Sequence, residues 1–259
     1  MKSSTCLPAA LLGISLLLAG AGAQAASDVL TAGSSNLRFG VLDLTPSDGH
    51  AAGFSVNTVR TELAMDFSPR DWSIPGVSER YSVDGGPHVL ARNLQDAYAD
   101  ITIGAAPGNT EIRYRSETPY PLDVYVTASY QQSIALTLKA HSLLTVNGTA
   151  HQSFANPSYA PERTIPYSQF SATLGGAGPG SSQSKFYMLL DKPWQEFARA
   201  QDFQLVYANS SDRDITVNLN LAGSIFANPV PEPSTYAMLG AGLALLGLTA
   251  RRRQRRHAA

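Results

Sequence analysis

Between residues 26 and 228 apolar and polar residues alternate with a period of two far more often than they recur every three or four. The cleanest run is Leu122-Asp123-Val124-Tyr125-Val126-Thr127-Ala128-Ser129-Tyr130, whose even positions are all apolar or aromatic, as a half-buried strand requires. After Gln131-Gln132 the pattern resumes at Ile134, Leu136 and Leu138, then at Leu144 and Val146, and Asn147-Gly148 reads as a turn. Upstream, Leu37–Leu44, Val56–Phe67, Asp100–Ile103 and Glu111–Arg115 predict further strands, while Leu90–Tyr98 reads as a short helix or a loop. Downstream, strands near Tyr167–Leu174 and Phe186–Leu190 flank a flexible glycine-rich connection, Gly175–Ser182. Phe203, Leu205 and Tyr207, then Ile215, Val217, Leu219 and Leu221, alternate on either side of the turn-rich Asn209–Arg213 and predict a hairpin. The last strand, within Asp214–Ser224, feeds directly into the C-terminal tail. Ten or so short strands separated by Gly, Pro, Asn and Asp predict an all-β domain over 26–228, an antiparallel β-sandwich with a jelly roll or barrel as the alternative.

The two ends break the alternation. Met1 to Ala25 opens with Lys2, continues through an apolar core at Leu11–Ala19 and closes on Ala23-Gln24-Ala25, the small-x-small pattern of a signal peptidase site. Residues 1–25 therefore read as a secretory signal, with Ala23 and Ala25 marking the cleavage. At the other end, Val230, Pro231, Glu232, Pro233, Ser234 and Thr235 precede an uncharged run, 236–250, and then Arg251, Arg252, Arg253, Arg255 and Arg256. The prolines hold the segment extended, the form a protease or transpeptidase binds. As a helix, 236–250 spans about 22 Å, short for a membrane crossing, and the arginines fix its end on the cytoplasmic side.

The ordered set of Pro231-Glu232-Pro233, Thr235, short apolar helix and terminal arginines resembles the PEP-CTERM sorting signal of Gram-negative bacteria. The resemblance covers residues 229–259. It implies recognition by an exosortase, a membrane-embedded cysteine transpeptidase, and removal of the apolar tail. It also implies a setting of extracellular polysaccharide, biofilm or floc. The expected partners are signal peptidase, exosortase, the membrane transiently through the C-terminal helix, and extracellular polysaccharide. The expected location is the cell surface or extracellular matrix after processing, and the membrane before it. Such an address is shared by unrelated domains, so it leaves open what this domain does.

Charge and cysteine usage narrow the field. The lone cysteine, Cys6, lies within the signal, so the exported part has neither disulfides nor a thiol nucleophile. Between Ala26 and Thr235 thirteen basic residues face twenty acidic ones. A domain of that sign attracts neither nucleic acid nor anionic lipid.

No catalytic motif is present. There is no G-x-S-x-G serine elbow, and His50, His88, His141 and His151 form no H-x-H or H-E-x-x-H pair. Asp84-Gly85-Gly86 and Asp212-Arg213-Asp214 offer oxygen ligands to calcium, but turn chemistry accounts for both. Trp72, Trp194 and the tyrosines are core candidates that could also stack on sugars. Tyr125 falls on the strand face opposite Tyr130 and is the aromatic most apt to meet solvent. The expectation is a non-enzymatic surface or matrix protein with no cofactor, no metal and no catalytic residue. The alternatives are a carbohydrate- or calcium-binding module, and an exported hydrolase whose carboxylates come together from distant loops.

Overall fold

The computed structural model describes residues 29–69, 73–95, 97–116, 124–155, 164–176, 182–191 and 196–229. The strands in chain order are β1 (Val29–Asp43), β2 (Phe54–Pro69), β3 (Val77–Asp84), β4 (His88–Leu94), β5 (Ala97–Ile103), β6 (Thr110–Ser116), β7 (Val124–Leu138), β8 (Ser142–Ala155), β9 (Thr164–Gly176), β10 (Gln183–Asp191), β11 (Phe197–Asn209) and β12 (Ile215–Pro229). They form two six-stranded antiparallel sheets. The first has the order β11-β8-β1-β6-β5-β4, and the second β10-β9-β12-β7-β2-β3. Neither closes into a barrel, and the predicted β-sandwich is the fold.

The alternation read from sequence sets the core. In β7 the even residues from Val124 to Leu138 are buried and the odd ones are not. Leu144 and Val146 of β8 and Leu219 and Leu221 of β12 are fully buried from the same logic. Each such side chain contributes about 1.5–3 kcal/mol of burial. Phe170, Phe186 and Phe203 pack together with ring centroids 5.2–6.2 Å apart, joining β9 and β10 of one sheet to β11 of the other.

Four local expectations are corrected. Gln131-Gln132 does not interrupt β7: Gln132 points into the core, accepts from the Gly108 amide at 2.6 Å and donates to Thr61 Oγ1 at 3.0 Å. A buried amide with both ends bonded is tolerated in a strand. Asn147-Gly148 is not a turn but lies mid-strand in β8, where the missing side chain makes room for Phe203. Leu90–Tyr98 is neither helix nor loop; it holds most of β4 and the start of β5, joined at Gln95, whose φ is 55°. Finally, β11 and β12 are not a hairpin. The chain crosses from one sheet to the other between them, β11 pairing with β8, and β12 with β7 and β9.

The β7–β8 connection is a second sheet-crossing arch, and the two arches sit together. Asp43 pairs with Ser142 in one sheet, and Ile215 with Leu138 in the other, so this pole holds both arches and the loop after β1. Val29 pairs with Ala155, and Pro229 with Thr164, at the opposite pole. The two ends of the described domain therefore leave it on the same side. Among the described residues no helix is long and apolar enough to cross a membrane. The signal residues Ala23 and Ala25, the motif Val230–Thr235, the run 236–250 and the terminal arginines lie outside the described residues.

Candidate functional site

The acidic loops flagged in the sequence serve the arches. Asn209 is buried, and its Nδ2 donates to the carbonyls of Leu138, Lys139 and Arg213 at 3.2, 2.9 and 2.8 Å. Asp214 Oδ1 accepts from the Ala140 amide at 3.0 Å, and Asp212 Oδ1 lies 2.9 Å from His141 Nε2. His141 itself has a φ of 51°. In the loop after β1, the Thr45 hydroxyl and the His50 amide hold the Asp48 carboxyl below its ordinary value. These acids have local partners, and among the described residues no cluster of three or more His, Asp and Glu is placed to hold a metal ion. Asp84 ends β3, and Gly85 and Gly86, with φ of 64° and 74°, make the crossing to β4.

The histidines do not assemble. His50 lies in the loop after β1, His88 opens β4, His141 sits in the arch and His151 lies on β8. Trp72 and Trp194 lie outside the described residues. Tyr114 and Tyr130 are core residues, 1% and 2% exposed. Burial pushes the Tyr130 phenol up to about 12, with Thr110 and Ser34 pulling the other way.

The outer face of the second sheet presents a different kind of surface. Register places two rows of side chains across it. One row runs Arg80, Ala64, Ser129, Ser224, Gln169, Leu189. Its neighbour runs Ser82, Glu62, Gln131, Ala222, Ser171, Tyr187. Apart from Gln131 the middle positions are small, so the face is hollowed into a trough of about 510 Å³ whose lining comes from β3, β2, β7, β12 and β9. Five strands spaced as in any sheet make it about 19 Å long, across the strand direction. Arg80 and Glu62 stand at one end. At the other, the hydroxyls of Tyr167 and Tyr187 donate to Gln169 Oε1 at 2.9 and 3.3 Å. Tyr187 is 56% exposed. Tyr125 lies on this same outward face of β7, as its strand parity required, in register with Ser68 of β2.

This surface was missed in the sequence because its residues come from separate strands. The available signal was the run of Ala and Ser at outward positions of central strands, where larger polar residues are equally tolerated.

The model of the PEP-CTERM protein-sorting motif matches residues 229–254. The chain thus carries that sorting signal, and the motif marks it as an exported protein sorted by an exosortase. The matched segment begins at Pro229, the last residue of β12. No curated protein matches the chain. A solved structure described as "Structural basis for the promiscuous specificity of the carbohydrate-binding modules from the beta-sandwich super family" aligns at 6% identity, covering 75% of this chain and 96% of that one. Its TM-score of 0.16 is too low to relate the two folds.

Proposed function

We propose that this chain is a non-enzymatic display protein, held at the cell surface or in the extracellular matrix after its tail is processed, and associated there with extracellular polysaccharide. The observation that carries the reading is the junction at Pro229: the sorting motif starts where β12 ends, and β12 is paired on both sides within a complete sheet. Removal of the tail beyond that residue leaves the sandwich whole. Both ends of the domain leave from one pole, so the arches and the length of each sheet face away from the attachment.

The absence of enzymatic activity is part of the proposal and rests on chemistry. A carboxylate-dependent hydrolase needs two acids flanking the scissile bond. Among the residues lining the trough, Glu62 is the one carboxylate. Signal peptidase acting after Ala25 and exosortase acting within Val230–Thr235 are the processing partners in this scheme.

The test is fractionation of producing cells with an antibody to the sandwich. The exported protein is expected with the polysaccharide in wild-type cells, and in the membrane, with its tail intact, in cells lacking exosortase. Equal tail length and equal membrane retention in both strains would overturn the processing scheme.

A further inference from the structure

We infer that the trough on the outer face of the second sheet is a binding site for an uncharged glycan chain, laid across the strands from Arg80 to Tyr187. The inference rests on the proposed polysaccharide association and names where and with what chemistry it occurs.

Three features select the ligand. First, the shape fits a polymer: about 19 Å of continuous trough runs over five strands, longer than a single small ligand needs. Second, the lining matches a sugar. Ser129, Ser224 and Ser171 offer hydroxyls that donate or accept, while Ala64 and Ala222 offer methyl surface between them. A pyranose likewise alternates hydroxyls with C–H faces. Gln169 and the exposed ring of Tyr187 close one end with an amide and an aromatic face.

Third, competing ligands are disfavoured. A peptide adding as a strand needs a bare sheet edge, and among the strands that line the trough β3 alone has one, at its far end; β2, β7, β12 and β9 are each paired on both sides. A folded partner needs an apolar pocket for its anchor, and the centre of the trough is lined by the polar Ser129, Gln131, Ser171 and Ser224 beside Ala64 and Ala222. An acidic polymer meets one arginine and one glutamate in the lining, on a domain with six more acidic than basic residues.

The experiment is affinity electrophoresis of the exported protein purified from producing cells. The gels hold hydroxyethylcellulose or pullulan as neutral probes, alginate as the acidic one, or the cells' own extracellular polysaccharide. The wild-type protein is expected to be retarded by the cells' own polysaccharide and by at least one neutral probe, and about tenfold less by alginate. Ser129→Trp and Ala222→Trp place an indole on the trough floor and are expected to weaken retardation about tenfold or more, with a cooperative melt retained. Gln204→Trp, on the outward side of β11 in the other sheet, is expected to bind as wild type. Tyr187→Ala leaves the core untouched, removes one of the two tyrosine hydrogen bonds to Gln169 and is expected to cost about fivefold; it decides the matter should an indole variant fail to melt cooperatively.

Retardation of all variants equal to wild type in the cells' own polysaccharide would overturn the trough as the site while leaving the association standing. Strongest binding to alginate would overturn the ligand class. No retardation of the wild-type protein by any probe would overturn the association itself, and the inference with it.

Discussion

The side-chain amide of Asn209 and the main-chain carbonyl of Lys139 are joined by a 2.9 Å hydrogen bond that ties the β11–β12 arch to the β7–β8 arch. Asn209 is 2% exposed, and the same nitrogen also reaches Leu138 and Arg213. The residue after which the chain leaves β11 thus fixes where it left β7. Asn209→Ala strips those buried carbonyls of their donor and is expected to cost about 2–3 kcal/mol in urea unfolding. Asp212→Ala, whose carboxylate is almost fully exposed, should change stability by less than about 0.5 kcal/mol. Equal effects of the two would mean that the arch is held by something other than Asn209.

Gly148 is expected to resist substitution although it lies in the middle of a strand, where glycine is ordinarily a cost. A Cβ there would stand 2.5 Å from Phe203 Cζ, and Phe203 is wedged against Phe170 and Phe186. Gly148→Ala should destabilise by about 1–3 kcal/mol through overpacking. Pairing it with Phe203→Leu should recover part of that loss, measured as a coupling energy in a double-mutant cycle.

Tyr130 gives the fold an alkaline limit. Its phenol is raised from 10.0 to about 12 by burial, so between those values the folded state keeps a proton that the unfolded chain releases. Stability is therefore unaffected by this group below 10.0 and falls as the pH climbs toward 12. The fall is on the order of 2–3 kcal/mol. Tyr130→Phe, which keeps the ring against Gly223, should flatten that part of a stability-versus-pH curve. An unchanged alkaline slope in the variant would assign the slope to another group.

Asp100 acts in the same direction at the acid end. Burial raises its carboxyl above 3.8, with Arg113 pulling the other way. A raised carboxyl binds its proton more tightly in the folded state, so its contribution is greatest below 3.8 and declines as the pH rises through the folded value. Asp100→Asn is expected to remove that decline and to leave the protein more stable at neutral pH, read from urea midpoints at pH 3 and pH 7. A lower midpoint at pH 7 would show that the ionised carboxylate is needed by Arg113 more than burial opposes it.

Calcium is expected to leave the melting temperature unchanged. Asp214 is engaged by the Ala140 amide and Asp212 by His141, which leaves the loop without a converging set of free oxygens. A calcium-dependent rise in melting temperature would point to a site that these two residues do not form, because a ligand of the folded state must stabilise it.

Period-two alternation made the strands legible and their partners illegible. β7 could be read from Leu122 onward because every second residue is apolar, and the one apparent break, Gln132, is a polar residue satisfied inside the core by Gly108 and Thr61. Alternation reports which side of a strand is buried and says nothing about which sheet the strand joins. That is why Phe203–Tyr207 and Ile215–Leu221 look like a hairpin yet belong to different sheets. Turn signals were equally local: Asn147-Gly148 has turn composition, but its glycine answers Phe203, a residue far along the chain. The sorting tail was the most legible part because its chemistry is linear and read in extended form. The trough was the least legible, since its floor is written as scattered Ala and Ser that only the register brings into line.

The position of β12 has a mechanical consequence. A pull on the tail is transmitted along a strand held by β7 on one side and β9 on the other, each over nearly its whole length. Force applied in that direction loads both ladders in shear, so many hydrogen bonds must yield together, whereas an edge strand peeled from its end gives them up one at a time. The trough crosses the same strand at Ala222 and Ser224. A polymer seated there and a tail held at the cell would then bear on one continuous sheet, and the drag of flowing water on the matrix would reach the cell without passing through the arches or the first sheet.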